Sequence, residues 1–149
     1  MVWIVIISFL VLVIGKFLWD RAKMERRILR EGGMRKKYET FINLILQQDK
    51  EARVVNEKPS DISIVLTTMS GRVIINILAT FRSVTVTWLL DSYLLGNHKL
   101  MWEFDKDEDQ EYMFERMNKE INVYMENKDF ENRLQDGIDK VTRKYLEDQ

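Results

Sequence analysis

The chain has 149 residues, of which 46% are hydrophobic and 11% aromatic, with a formal net charge of -1 and no cysteine. This composition excludes a wholly disordered chain, and the length suits one compact domain rather than two. A chain without cysteine has no disulfide, no thiolate nucleophile and no cysteine-based zinc site.

Charge is distributed unevenly along the chain. Residues 1–15 carry no charged side chain, residues 16–37 carry nine basic and three acidic ones, and residues 38–149 carry 14 basic and 21 acidic ones. The second segment therefore has a charge of +6 and the third a charge of -7. Such a change of sign predicts that the segments lie in different surroundings.

The uncharged start of the chain predicts a transmembrane anchor over residues 1–19. Residues 2–14 are apolar apart from one serine. A helix over residues 2–19 would be about 27 Å long, close to the hydrocarbon thickness of a thin bilayer. A cleaved signal peptide is less consistent with the run, because no basic residue precedes it. A buried core helix is also less consistent, because the run is apolar on every face. Four residues are assigned to the anchor and its interfaces: Trp3, Phe9, Lys16 and Trp19.

The basic residues that follow the apolar run predict its orientation. No basic residue precedes the run, so the positive-inside rule places the N-terminus outside and the C-terminal domain in the cytoplasm. The same basic residues are candidates for contact with anionic lipid headgroups. Nucleic acid is not an expected partner, because the basic run lacks interleaved aromatic residues. The candidate membrane-surface residues are Arg21, Lys23, Arg26, Arg27, Arg30, Arg35, Lys36 and Lys37.

Two adjacent glycines divide the basic segment from the rest of the chain. Gly32 and Gly33 together disfavour a helix by roughly 2 kcal/mol relative to alanine, which predicts a hinge. Residues 20–33 are therefore interpreted as a basic juxtamembrane segment. Residues 34–149 are interpreted as a soluble domain.

The soluble domain is predicted to be a two-layer α+β fold. Apolar spacings of three and four predict a helix over residues 34–50. Alternation with a period of two between residues 62 and 104 predicts four strands, joined by short turns into an antiparallel meander. Helical spacing returns from Asp107. The predicted fold class is thus α+β, with a transmembrane helix, a helix, a four-stranded antiparallel meander and one or two C-terminal helices.

Few residues suggest chemistry. His98 follows Gly96 and Asn97 in a predicted turn, and we interpret it as a solvent-exposed turn residue. The sequence contains no glycine-rich phosphate loop and no nucleophile elbow. We therefore predict no catalytic residue, no cofactor and no metal ligand.

An acidic run raises the question of calcium binding. Asp105, Asp107 and Asp109 match the first three ligand positions of a calcium loop, but Gln110 and Arg116 replace its essential glycine and glutamate. We interpret the run as the start of a helix, where an aspartate N-cap and acidic first-turn residues are stabilising.

The last helical pattern predicts either core packing on the sheet or a surface for a partner. The two preceding helices already suffice to cover one face of the sheet, so this stripe is a candidate for binding a protein partner or a second copy. Its residues are Phe130, Leu134, Ile138, Val141 and Tyr145.

These observations favour a single-pass, membrane-anchored adaptor or assembly protein that is not an enzyme. Its cytoplasmic α+β domain would bind an unidentified protein partner, and the anchor would allow a weak interface to suffice. One alternative is a membrane-associated enzyme or small-ligand sensor with its site between sheet and helices. Another is a self-assembling structural subunit.

Overall fold

Five antiparallel strands in sequence order form the centre of the fold in a computed structural model that describes residues 2–127, 135–139 and 143. A long helix and two short helices precede the sheet, and another helix follows it. The elements are α1 (Val2–Arg30), α2 (Gly33–Lys37), α3 (Glu39–Leu46), β1 (Arg53–Lys58), β2 (Asp61–Thr68), β3 (Gly71–Ala79), β4 (Ser83–Ser92), β5 (Gly96–Asp105) and α4 (Gln110–Met125). Residues 135–139 are also helical.

The period-2 alternation places one set of apolar side chains on the helix-covered face of the sheet. Ile62 pairs with Ile77, Ile77 with Val86, and Val86 with Trp102, so one buried row crosses four strands. The predicted antiparallel meander is confirmed for these strands. The expected number of strands is wrong, because the sheet has five.

The additional strand, β1, lies at the edge of the sheet beside β2. Its residues are mostly polar and exposed, and its pairing is interrupted by an irregularity between Val54 and Asn56. An edge strand hydrogen-bonds along one side only and needs little apolar alternation. The hydrophobic pattern therefore did not predict it.

The predicted helix over residues 34–50 is wrong in its extent. It is broken at Tyr38, whose φ of -110° and ψ of 32° separate α2 from α3, and α3 ends at Leu46. The Gln110 side chain lies across this break. Its Oε1 accepts a hydrogen bond from Phe41 N at 3.0 Å, and its Nε2 donates one to Lys37 O at 2.9 Å.

The helices pack on one face of the sheet. Phe41 and Ile45 of α3 and Met113 and Met117 of α4 are buried in the core with the sheet row described above. The opposite face of the sheet carries exposed apolar side chains such as that of Met101.

The transmembrane prediction is contradicted. Within the residues that the structure describes, no helix is sufficiently long and apolar to cross a membrane. The uncharged run over residues 2–14 would span only about 20 Å at the helical rise, against about 30 Å of hydrocarbon. The fold class is therefore a helix, a five-stranded antiparallel sheet and a helix, without the predicted span.

Instead of ending with the apolar run, α1 continues to Arg30 and joins the domain. Ile28 is only 4% exposed, and Met24 packs against the same core. The helix is interrupted at the two glycines, where Gly32 and Gly33 adopt φ angles of 96° and 85°. Glycine reaches this left-handed region without the steric cost of a β carbon.

The helical segment 135–139 lies against the far end of the sheet. A β carbon at Gly137 would overlap the carbonyl oxygen of Leu94 in the turn between β4 and β5. Glycine thus permits the close approach of this segment to the turn.

Candidate functional site

A cleft between α1 and the turn that joins β3 to β4 combines basic and aromatic side chains. Trp19, Lys23, Arg26 and Arg30 follow one another at intervals of three or four residues, which aligns them on one side of a helix. Phe81 lies across from them. The cleft has a volume of about 600 Å³ and is lined by Trp19, Ala22, Lys23, Arg26, Arg27, Arg30 and Phe81. We call it the basic cleft.

Core packing fixes the helical wall of the basic cleft. Ile28 and Met24 face the domain, while Lys23, Arg26 and Arg30 line the cleft. The helical period therefore separates the residues that attach α1 from those that line the cleft.

A hydrogen-bonded turn fixes the opposite wall. The Thr80 hydroxyl donates to Ser83 O at 2.9 Å and accepts from Ser83 N at 3.1 Å. Lys106 N also donates to Arg82 O at 3.1 Å. These bonds hold the backbone on both sides of Phe81, which is 47% exposed.

The basic side chains of the N-terminal part differ in whether they are neutralised. Four of the eight candidate residues form ion pairs with N–O distances of 3.1–3.6 Å: Arg21 with Glu25, Arg27 with Glu31, Arg35 with Glu57, and Lys37 with Glu31. The hydrogen bond from Lys37 holds the pKa of Glu31 below its usual value of 4.5.

The other four basic residues, Lys23, Arg26, Arg30 and Lys36, form no ion pair within the described part of the chain. Three of them line the basic cleft, and no carboxylate among the described residues lines it. Positive charge is thus concentrated there rather than spread evenly over the eight residues.

The residues assigned to the anchor are exposed on α1. Trp19 is 76% exposed, and Trp3, Phe9 and Lys16 are also exposed. Only Trp19 belongs to the basic cleft. The apolar side chains of α1 from Phe9 to Leu18 therefore form an exposed surface that leads to the cleft.

His98 is not an exposed turn residue. The turn lies at residues 93–95, so His98 falls on β5, where it is 7% exposed. Its Nδ1 lies 2.6 Å from the Tyr124 hydroxyl and its Nε2 lies 2.7 Å from Leu95 O. Both ring nitrogens thus have hydrogen-bond partners, and these contacts connect β5 to α4 and to the turn.

The acidic run begins α4, as expected. The Asp109 side chain accepts a hydrogen bond from Tyr112 N at 2.8 Å as the N-cap, and Glu111 lies in the first turn. Asp105 is the last residue of β5. Among the described residues, no group of three or more histidine, aspartate or glutamate side chains could hold a metal ion.

The candidate partner-binding stripe falls mostly outside the described residues. Ile138 lies in the helical segment and is 41% exposed. The structure does not describe Phe130, Leu134, Val141 and Tyr145.

Sequence reasoning missed Phe81, the aromatic residue on the turn side of the basic cleft. Phe81 is a single aromatic residue in a turn, and its pattern alone does not connect it with α1. A large apolar side chain at a tight turn is an indication of a surface contact, because such a position is normally polar.

Comparisons with protein-family models, curated proteins and solved structures give no match.

Proposed function

We propose that the protein is a non-catalytic adaptor or assembly protein that associates with anionic lipid through α1 and presents its α+β domain to a protein partner. One observation carries the proposal. The cations that form no ion pair with any described residue lie together with exposed apolar side chains on a helix that is packed into the domain core.

The two parts of α1 would make different contacts with lipid. Exposed apolar side chains such as Phe17 and Leu18 would contact acyl chains, which favours association by roughly 25 cal/mol for each Å² removed from water. Lys23, Arg26 and Arg30 would contact headgroups, at about 1 kcal/mol for each basic residue near an anionic surface.

The sign of this charge also favours one membrane face. Anionic lipids are concentrated in the cytoplasmic leaflet, which attracts basic segments. We therefore propose that the α+β domain is positioned at the cytoplasmic surface. A basic patch of this kind also loses affinity as salt screens it.

Vesicle sedimentation tests the association. The full chain is mixed with vesicles of phosphatidylcholine containing phosphatidylglycerol, or of phosphatidylcholine alone, at low and high salt. We expect sedimentation with the anionic vesicles only, and less of it at high salt. Equal sedimentation with both vesicle types, or none with either, would contradict the proposal.

A protein-only sample controls for self-association through α1. Sedimentation velocity over a range of concentrations shows whether the chain forms oligomers. Pelleting without vesicles, together with a mass that rises with concentration, would favour the self-assembling subunit over the lipid-associated adaptor.

A further inference from the structure

We infer that the basic cleft is a binding site for the phosphate-bearing headgroup of a single anionic phospholipid, an inference that rests on the proposed association of α1 with lipid. General attraction to a charged surface needs only a basic patch. A headgroup site also needs a concave shape, converging donors and walls that match the ligand.

The donors in the basic cleft suit a phosphate. Arg26 and Arg30 each carry a guanidinium that can bind phosphate oxygens through two parallel hydrogen bonds, and Lys23 adds a third cation. These like charges lie on one side of α1, and no carboxylate of the described chain lines the cleft with them. An anion in the cleft would relieve their mutual repulsion and gain charge-assisted hydrogen bonds.

The shape of the basic cleft also fits a headgroup. A volume of about 600 Å³ lies within the range typical of small-molecule sites. Trp19 and Phe81 form aromatic walls on its two sides, and such side chains favour the boundary between headgroups and acyl chains. Ala22 contributes only a methyl group to the lining, so space remains between the walls.

Continuity with the apolar surface of α1 favours a lipid over free phosphate. Trp19 directly follows Phe17 and Leu18, which are both more than half exposed. A phospholipid whose headgroup occupies the cleft can place its acyl chains along these residues. Inorganic phosphate would gain nothing from that surface.

Short-chain lipids separate a defined site from general surface attraction. The full chain is titrated with monomeric dihexanoyl phosphatidate, dihexanoyl phosphatidylcholine or inorganic phosphate, with tryptophan fluorescence as the readout. We expect phosphatidate to bind at least about tenfold more tightly than either of the other two. Equal affinity for inorganic phosphate, or for phosphatidylcholine, would overturn the inference.

Paired variants test where the headgroup binds. R26Q/R30Q removes two cations of the basic cleft, and R53Q/K99Q removes two exposed cations from the sheet. We expect the first pair to weaken phosphatidate binding at least about tenfold and the second less than about twofold. Similar losses in both pairs would overturn the inference. Circular dichroism verifies that each variant is folded.

Filling the basic cleft provides a second test that leaves every charge in place. We expect Ala22→Leu to weaken phosphatidate binding relative to the parent chain, because the larger side chain occupies space in the cleft. Unchanged phosphatidate affinity in A22L would count against the site even if vesicle binding holds. Tight phosphatidate binding without vesicle binding would instead retain the headgroup site and reject the proposed lipid-surface function.

Discussion

The indole Nε1 of Trp102 donates a hydrogen bond of 2.7 Å to Oε2 of Glu120, which joins β5 to α4. The indole is almost fully buried, so its N–H requires an acceptor. Arg116 donates to the other oxygen of the same carboxylate at 3.0 Å, and its guanidinium lies 5.5 Å from the centre of the Phe104 ring. A surface carboxylate thus accepts the hydrogen bond that the indole N–H of a core tryptophan requires.

The first prediction concerns the acid stability of this contact. Hydrogen bonds from Arg116 and then Trp102 hold the pKa of Glu120 below its usual value of 4.5. The ionised carboxylate therefore stabilises the fold above about pH 4.5, and this contribution is lost as pH falls through the lowered pKa. We expect E120Q to lose less stability on acidification than the parent chain, by under about 1 kcal/mol because the group is exposed. Urea unfolding at several pH values measures the difference, and identical pH profiles would contradict it.

The second prediction concerns the buried tyrosine between α2 and α3. The Tyr38 hydroxyl donates to Lys106 O at 3.2 Å, and burial is the main cause that raises its pKa to about 12. Because the folded value exceeds the ordinary value of 10, the neutral phenol stabilises the fold below pH 10, and this contribution declines as pH rises toward 12.

Tyr38→Phe tests both parts of that statement. We expect Y38F to lower the free energy of unfolding by about 1 kcal/mol at neutral pH through the lost hydrogen bond. The difference should shrink above pH 10. Denaturant unfolding at neutral and alkaline pH provides the measurement. A gap that stays constant or widens at alkaline pH would be inconsistent with the raised pKa.

The third prediction concerns the break that Gln110 spans. The side-chain amide of Gln110 forms hydrogen bonds with Phe41 N and Lys37 O. Gln110→Ala therefore leaves both backbone groups without that partner. We expect a loss of about 2 kcal/mol in the free energy of unfolding. Gln110→Glu keeps an acceptor for Phe41 N but loses the donor to Lys37 O, and we expect an intermediate loss. Equal stability of Q110A and the parent chain would show that these bonds contribute nothing.

The fourth prediction uses two glycines with different surroundings. A β carbon at Gly137 would meet the Leu94 carbonyl, whereas nothing lies within 4 Å of one at Gly15. We expect Gly137→Ala to shift the 135–139 segment away from the turn and to increase hydrogen exchange there. Gly15→Ala should leave that exchange unchanged. Unaltered exchange in G137A would show that the close approach does not hold the segment.

The sequence predicted elements whose burial was regular and missed those whose stability depends on distant residues. The buried row through Ile62 and Trp102 produces strict alternation, so its strands could be predicted. Exposed β1 produces no such pattern. The helix break at Tyr38 could not be predicted from the local pattern. Gln110, which hydrogen-bonds to the backbone on both sides of the break, lies far along the chain, after the sheet.

The candidate site was likewise predictable from the sequence only in part. The basic residues of α1 were identified from composition, and their common side follows from helical spacing. Composition does not show which cations are neutralised, because Arg35 pairs with Glu57 only after β1 has formed. Phe81 enters the cleft only through the folded turn.

Because Ile28 is buried in the core, α1 is held against the domain by packing and not only by its chain connection. Its attachment lies at the sheet end that carries the turn with Phe81, and β4, with ten residues, leads from that turn to Tyr93. At about 3.3 Å per strand residue, the two ends are separated by roughly 30 Å. A lipid surface at the first end, as proposed for α1, would leave the exposed side chains of Met69 and Tyr93 at the opposite end of the sheet.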